Sequence, residues 1–364
     1  MDYSLPTPME TLESEDYSAA TEDYSEFTFC DKSSVREFRK YYEPPLYIII
    51  TILGVLGNAL VIWIYSFYRT RVKTMTDVYL LNLAVADLMF LLTLPLWASD
   101  ALNGWTFGSI LCKITSACYK INFFSSMLLL TCISVDRYIV IVQTTKAQNS
   151  KNKRLLCGKL VCMVVWLLAV LLSAPELIFA STKTDEESSW QYCTLVYSWN
   201  NKNNRTKILV LVLQIFMGFC LPLVVMFFCY TCIIHTLMKT RSFEKHKALR
   251  VILVVVAVFV LSQLPYNAML IVEATQAANV TITDCNVSQS FDIATQIMKG
   301  LAYTHCCLNP FLYVFIGVRF RRDLLKILQH YGCLSSGSKL SKLYGTPIRA
   351  SAMSDTDTTQ ALSL

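Results

Sequence analysis

Apolar residues run along this chain in long blocks separated by short polar segments. A helix needs roughly 20 apolar residues to cross a bilayer core. Seven blocks reach that length: Leu46–Tyr68, Val78–Ser99, Ile110–Val142, Leu155–Ala180, Ile208–Met238, Ala248–Ala274 and Phe291–Ile316. The pattern predicts an all-α membrane protein, a seven-transmembrane helix bundle. The second block carries Asp87 and the seventh Lys299, so both are interrupted by charge. Prolines recur near mid-helix at Pro95, Pro175, Pro222, Pro265 and Pro310. Each removes a backbone hydrogen bond and permits a kink.

Composition agrees with that reading, since 54% of residues are hydrophobic and 16% charged, more apolar than a soluble domain. Met1 to Phe29 is acidic and polar, with neither the basic nor the apolar region of a cleavable signal peptide. The first span is therefore expected to direct its own insertion. Lys and Arg in the short loops set the orientation. Arg69, Arg71 and Lys73 follow the first span; Lys151, Lys153 and Arg154 precede the fourth; Lys239, Arg241 and Lys245 follow the fifth; Arg319, Arg321 and Arg322 follow the seventh. All fall on one side, which the rule makes cytosolic. The net charge of +6 comes mainly from this face and is no sign of nucleic-acid binding. Residues 1–43 then read as an extracellular acidic tail and 44–317 as the helical bundle. Residues 318–332 read as a short amphipathic eighth helix on the membrane surface, and 333–364 as a cytosolic Ser/Thr-rich tail. The expected location is the plasma membrane, with the N-terminus outside.

Most of the 14 cysteines lie within spans, where a free thiol packs as a small apolar group. Cys30, Cys112, Cys193 and Cys285 fall on the oxidising outer side. Four cysteines allow three pairings. Cys333 follows a basic amphipathic stretch and reads equally as a palmitoylation site or a free thiol. Asn204, Asn279 and Asn286 open glycosylation sequons on the outer face. Tyr17 and Tyr24 sit beside acids in the N-terminal tail. They suit sulfation, and the tail suits a docking arm that steers a basic partner. Ser351, Ser354, Thr356, Thr358 and Thr359 surround two aspartates in the C-terminal tail. Phosphates there would make an anionic patch.

Asp136-Arg137-Tyr138 stands at the cytosolic end of the third span. A charged triplet at such a boundary marks a surface that something else reads. It belongs to a series through successive spans: Asn58, Leu83-Ala84-Val85-Ala86-Asp87, Asp136-Arg137-Tyr138, Trp166, Pro222, Pro265 and Asn309-Pro310-Phe311-Leu312-Tyr313. From about Pro44 to Gly332 the chain resembles the rhodopsin-like G-protein-coupled receptors. Thr93-Leu94-Pro95-Leu96-Trp97, the four outer cysteines, the acidic Tyr-bearing tail and Ser262-Gln263-Leu264-Pro265-Tyr266-Asn267 narrow the likeness to the CC chemokine receptor group.

The resemblance favours the pairings Cys112–Cys193 and Cys30–Cys285. It implies a secreted basic CC chemokine as ligand, with CC chemokine ligand 25 the first candidate. It also implies an inhibitory-class heterotrimeric G protein, arrestin, receptor kinases and surrounding lipid as partners, and leukocyte chemotaxis through calcium-mediated signalling as the outcome. Ligand contacts are expected at Tyr17, Tyr24, Tyr47, Trp97, Asp100, Tyr119, Lys120, Tyr266, Glu273, Asp292 and Lys299. Activation is expected to run through Asp87, Asp136, Arg137, Tyr138, Gln263, Pro265, Asn309, Pro310 and Tyr313, with Asp87 and Asn309 in one buried network that a sodium ion would suit.

Three positions depart from the family pattern. Gln263 stands where many relatives have tryptophan, and Lys299 where many chemokine receptors have glutamate. Lys245 stands where many relatives have the glutamate that restrains the arginine of the triplet. The local Asp136–Arg137 pair is thus expected to be the main restraint on Arg137. A transporter would predict internal repeats, and none is visible. An enzyme would need a catalytic set; the chain has four histidines in all and no Ser/His/Asp constellation, and no cofactor is expected. The nearest rivals are a receptor of a neighbouring subtype for another CC chemokine and a non-signalling scavenging receptor of the same fold.

Overall fold

The computed structural model describes residues 30–68, 74–143, 151–184, 190–197, 204–239, 243–278, 282–316, 320 and 324–327. Tyr17, Tyr24, Asn279, Cys333 and the five Ser/Thr of the C-terminal tail lie outside them, as do the side chains of Lys245 and Tyr313.

The first span is α1, Ser33–Trp63, closed by a π-helical turn at Ile64–Tyr68. It begins well before Leu46, because the polar segment from Ser33 to Glu43 winds onto the same helix, and Pro44-Pro45 does not interrupt it. The second span is α2, Met75–Leu91, followed by α3, Leu94–Asn103. Thr74 and Asp77 cap α2 reciprocally: each side chain accepts from the other's backbone N–H, satisfying two orphan donors of the first turn. The third span is α4, Gly108–Val142. The fourth joins α5, Lys151–Leu172, to α6, Ala174–Phe179. A hairpin follows, β1 (Ala180–Thr184) antiparallel to β2 (Gln191–Leu195), with Cys193 opposite Thr182. The fifth span is α7, Arg205–Ile215, a π-helical turn at Phe216–Cys220, and α8, Leu221–Lys239. The sixth is α9, Phe243–Ala278, and the seventh α10, Cys285–Tyr303, with α11, His305–Ile316.

Six of these are long and apolar enough to cross a membrane by length and composition. The seventh is divided at Thr304 and carries Asp292 and Lys299. Within 318–332, residues 324–327 are helical, with Leu325 and Ile327 buried.

The proline expectation holds unevenly. Irregular backbone precedes Pro95, Pro175, Pro222 and Pro310, at Leu92-Thr93, Ser173, Phe216–Cys220 and Thr304. The carbonyl that Pro310 frees, Cys306 O, accepts from the Asn58 amide at 2.8 Å. Around Pro265 the helix is continuous.

The bundle buries two stacked apolar clusters. One, at the Arg137 end, includes Leu83, Phe123, Met127, Leu130, Met226, Ile233 and Phe259. The other, toward the disulfides, includes Tyr47, Phe90, Tyr119, Tyr266 and Tyr303. Residues such as Leu56, Met163, Leu167, Val224, Phe227 and Leu261 are exposed. That outward apolar surface is what a lipid-facing bundle requires. Two close approaches draw α1 inward. A Cβ on Gly54 would lie 2.6 Å from Leu91 Cδ1, and one on Gly57 would lie 2.8 Å from Pro310 Cβ.

Candidate functional site: a ligand mouth joined to a buried polar core

Both expected disulfides are present. Cys112–Cys193 pins the β-hairpin to the start of α4, and Cys30–Cys285 ties the segment before α1 to the start of α10. Around the second bridge, Lys32 Nζ reaches Asp292 Oδ2 at 2.7 Å and Ser288 Oγ at 2.6 Å. Asp31 accepts from the amide and hydroxyl of Ser33, which lower its pKa. One turn further in, Arg39 donates to Glu43 at 2.9 Å and to Asp100 at 3.0 Å. Residues 30–43, expected as part of a loose tail, are thus built into the mouth.

The ligand residues expected from sequence divide. Tyr47, Trp97, Tyr119, Tyr266 and Lys299 gather around the upper apolar cluster. Tyr47 and Tyr119 each pack on Tyr303, at ring separations of 5.8 and 5.0 Å. The three acids among the expected ligand contacts each pair with another cation: Asp100 with Arg39, Asp292 with Lys32, and Glu273 with Lys207 at 2.9 Å. The Lys299 ammonium instead lies over the rings of Trp97 and Tyr303, at 5.5 and 5.8 Å from their centroids. Such cation–π contacts hold a desolvated cation without neutralising it.

Lys120 turns the other way, into a small cavity lined also by Phe124, Glu176 and Gln214. Its ammonium donates to Gln214 Oε1 and stands 3.5 Å from Glu176 Oε1. Sequence reasoning missed Glu176 and Gln214. Both are polar residues in apolar spans, the signal that selected Asp87 and Lys299. Several polar atoms at this end are buried without a hydrogen-bond partner among the described residues: Trp97 Nε1, Asp100 Oδ1, Gln263 Oε1 and Asn267 Oδ1.

Below the mouth, Gln263 donates to Ala302 O at 3.1 Å, beside His305. An amide in place of an indole puts a hydrogen-bonding group, not a large ring, at the floor of the cavity. His305 in turn faces Asp87, Nε2 to Oδ1 3.9 Å. Asn122 and Asn309 both donate to the Asp87 carboxylate, at 2.8 and 2.9 Å. Asn58 donates to Gly54 O and Cys306 O, linking α1 to α11. The expected Asp87–Asn309 contact is present, with His305 and Gln263 packed beside it.

At the opposite end Arg137 is buried, 2% exposed. The expected Asp136–Arg137 pair is present, but the carboxylate is shared. Asp136 Oδ1 accepts from Arg154 at 3.0 Å, whereas Arg137 lies 3.8 Å from Asp136 Oδ2. Arg137 donates to the Thr76 hydroxyl of α2. Arg154 enters because the start of α5 packs beside the end of α4, a tertiary contact that the local triplet does not encode. Tyr138 packs on Phe228 of α8, with ring centroids 5.9 Å apart.

Residues 57–313 match the family model for the 7 transmembrane receptor (rhodopsin family). The chain is also 48% identical to C-C chemokine receptor type 9 from Mus musculus over 330 residues, covering 90% of this chain and 88% of that protein. It belongs to the C-C chemokine receptors of the rhodopsin family. The human type 9 receptor is 47% identical over 345 residues, covering 93% and 92% of the two chains. The human type 7 receptor is 44% identical over 345 residues, covering 94% and 90%. Type 9, followed by type 7, is also the ordering suggested by Ile234-His235-Thr236-Leu237 and the closing Ala361-Leu362-Ser363-Leu364.

The sodium ion that the rhodopsin-family likeness implies beside Asp87 fits this donor set poorly. Sodium, like other hard cations, takes oxygen ligands. Here the carboxylate is grouped with an imidazole and a thiol, softer donors than the oxygens a hard cation takes.

Proposed function

We propose that this C-C chemokine receptor sits in the plasma membrane with its disulfide end outside. It binds a basic CC chemokine there and signals through inhibitory-class G proteins at the Arg137 end to direct chemotaxis. CC chemokine ligand 25 is the first candidate, by likeness to type 9. The observation that carries the ligand reading is the set of buried, partnerless polar atoms on Trp97, Asp100, Gln263 and Asn267. Such groups are costly unless something completes them. Above them two bridges tie the outer segments to the bundle, and such bonds form in an oxidising compartment.

Recognition takes two steps. The acidic tail around Tyr17 and Tyr24, sulfated, gathers the basic body of the chemokine. Its flexible N-terminus then enters between Trp97, Tyr266 and Lys299. Binding transmits only if it favours the active bundle over the resting one. The breaks near Pro310 and the Gln263–His305–Asp87 chain supply the elements that move. Phosphorylation of Ser351, Ser354, Thr356, Thr358 and Thr359 recruits arrestin, receptor kinases adding the phosphates. Cys333 carries a palmitoyl chain into the surrounding lipid, and Asn204, Asn279 and Asn286 are the acceptors for glycans.

A CC chemokine panel on transfected cells tests this, with cAMP inhibition and internalisation read together. Inhibition by one chemokine, blocked by a toxin that inactivates inhibitory G proteins, is the expected result. Internalisation without any G-protein response supports a scavenging receptor instead, and a response confined to another chemokine moves the assignment to a neighbouring subtype.

A further inference from the structure

Three metal-ligating side chains of different chemistry meet in the buried centre of the bundle: Asp87 from α2, and His305 and Cys306 from the first turn of α11. One ligand atom of each lies within 4.8 Å of the others, and all three residues are buried. Cys306 Sγ is 3.3 Å from His305 Nε2, and His305 Nε2 is 3.9 Å from Asp87 Oδ1. A tetrahedral zinc ion, with bonds of roughly 2.0–2.3 Å, places its ligand atoms roughly 3.3–3.8 Å apart. The Cys306–His305 separation of 3.3 Å is at that spacing and the others lie within 4.8 Å.

We propose that this centre binds a borderline-soft divalent cation, zinc in the first instance, through Asp87, His305 and Cys306. The imidazole is oriented for it. His305 Nδ1 hydrogen-bonds to Ala302 O at 2.5 Å, which puts the proton on Nδ1 and leaves the Nε2 lone pair facing the thiol and the carboxylate. Metal-bound histidines are characteristically fixed by such an outer hydrogen bond. Phe259 packs edge-on against the ring at 4.8 Å and holds its plane.

Charge selects the metal as well. On binding, the Cys306 thiol, which now points at Asn122 Oδ1 at 3.6 Å, loses its proton to solvent. One carboxylate and one thiolate then neutralise a divalent ion in a site that water does not screen. A monovalent hard ion would leave the imidazole and the thiol without use. Asn309 supplies the remaining polar group: it already donates to Asp87, and its Oδ1 is buried without a partner. The centre joins α2 to α11 just below the Thr304 break, so a bound ion would cross-link the two helices that flank the polar core.

The test uses the full-length receptor in lipid nanodiscs, titrated with Co²⁺ and then Zn²⁺. The expected result is about one Co²⁺ per receptor with a near-ultraviolet thiolate-to-cobalt band, removed by Zn²⁺ and not by Na⁺. Cys306→Ser should abolish the band, and His305→Gln should weaken Co²⁺ affinity about tenfold or more. Cys307→Ser should leave the band intact. Because a core variant can fail to fold, the wild-type unfolding temperature is measured in parallel and should rise with Zn²⁺. A titration with no thiolate band, a band that persists in Cys306→Ser, or displacement by Na⁺ at comparable concentration would overturn the proposal. So would a wild-type unfolding temperature indifferent to Zn²⁺.

Discussion

Arg154 reaches Asp136 at 3.0 Å, closer than Arg137, the residue next to Asp136 in sequence, which lies 3.8 Å away. One buried carboxylate is thus shared by two guanidinium groups, while Thr76 accepts from Arg137 on its other side. Removing Arg154 leaves Asp136 to Arg137 and tightens the resting state. Arg154→Ala should therefore lower basal signalling, whereas Asp136→Asn, which releases both cations, should raise it. Each change is worth about 1–2 kcal/mol, about five- to thirty-fold in the resting-to-active ratio. Ligand-free cAMP inhibition measures both, and variants shifting in the same direction would remove the shared-carboxylate account.

Lys120 and Glu176 form a second internal pair, 3.5 Å apart, with Gln214 completing the ammonium. Deleting one partner strands the other charge in an apolar setting, at about 3–5 kcal/mol. Lys120→Met should accordingly lower the unfolding temperature of detergent-solubilised receptor. Glu176→Gln in the Lys120→Met background should recover much of it. A double variant as unstable as the sum of the single ones would show that the two groups do not couple.

Much of this site was legible in sequence, and what was not had a common cause. Asp87, Asn309 and Arg137 announce themselves because a polar group in an apolar block has few reasons to be there. The four outer cysteines follow from compartment, and their pairing from family likeness. The helical arm from Ser33 was misread as tail because its partners Asp100, Ser288 and Asp292 come from distant spans. Glu176 and Gln214 carried the polar-in-apolar signal and were passed over; their shared partner, Lys120, comes from another span. Arg154's share of Asp136 was missed because it is a contact between α4 and α5, and the triplet shows only the local half of the clasp. Hairpin β1–β2 joins segments too short and polar to stand out from the loop around them.

Gly57 faces the rigid ring of Pro310, where an added Cβ would sit 2.8 Å from Cβ and 2.9 Å from Cγ. Neither atom can rotate away, so Gly57→Ala must push α1 off α11. Overpacking of this kind costs about 1–3 kcal/mol. The unfolding temperature and surface expression should both fall. By contrast, at Gly158 a Cβ would meet Met75 at 3.4 Å, an ordinary contact with a flexible side chain. Gly158→Ala is the matched control and should be close to neutral; equal losses at the two positions would contradict the packing argument.

Cys30–Cys285 spans a sequence separation of 255 residues, yet it anchors only the arm at the mouth. Cys112–Cys193 fixes the hairpin against α4, where Trp105 and Ala180 are buried beside it. The first bridge is therefore expected to serve ligand binding more than folding. Cys30→Ser should weaken chemokine affinity by about tenfold, 1.4 kcal/mol, with modest loss of surface receptor, while Cys112→Ser should remove most surface receptor. Unchanged affinity in Cys30→Ser would separate the arm from recognition.

In the proposed two-step recognition, the acidic tail ahead of Cys30 would act at longer range. Attraction between exposed charges is screened beyond about 10 Å at 0.1 M salt, so it governs how fast a basic ligand arrives more than how long it stays. Deleting Met1 to Phe29 leaves Cys30, Lys32 and the mouth in place. Association with a basic chemokine should slow by about tenfold or more at low salt, and its dependence on ionic strength should flatten. Dissociation should change less, because the contacts with Trp97, Tyr266 and Lys299 remain. Stopped-flow or surface-resonance kinetics across a salt series separates the two rates. A deletion that accelerates dissociation while leaving the salt slope of association untouched would make the tail a contact surface and not a steering device.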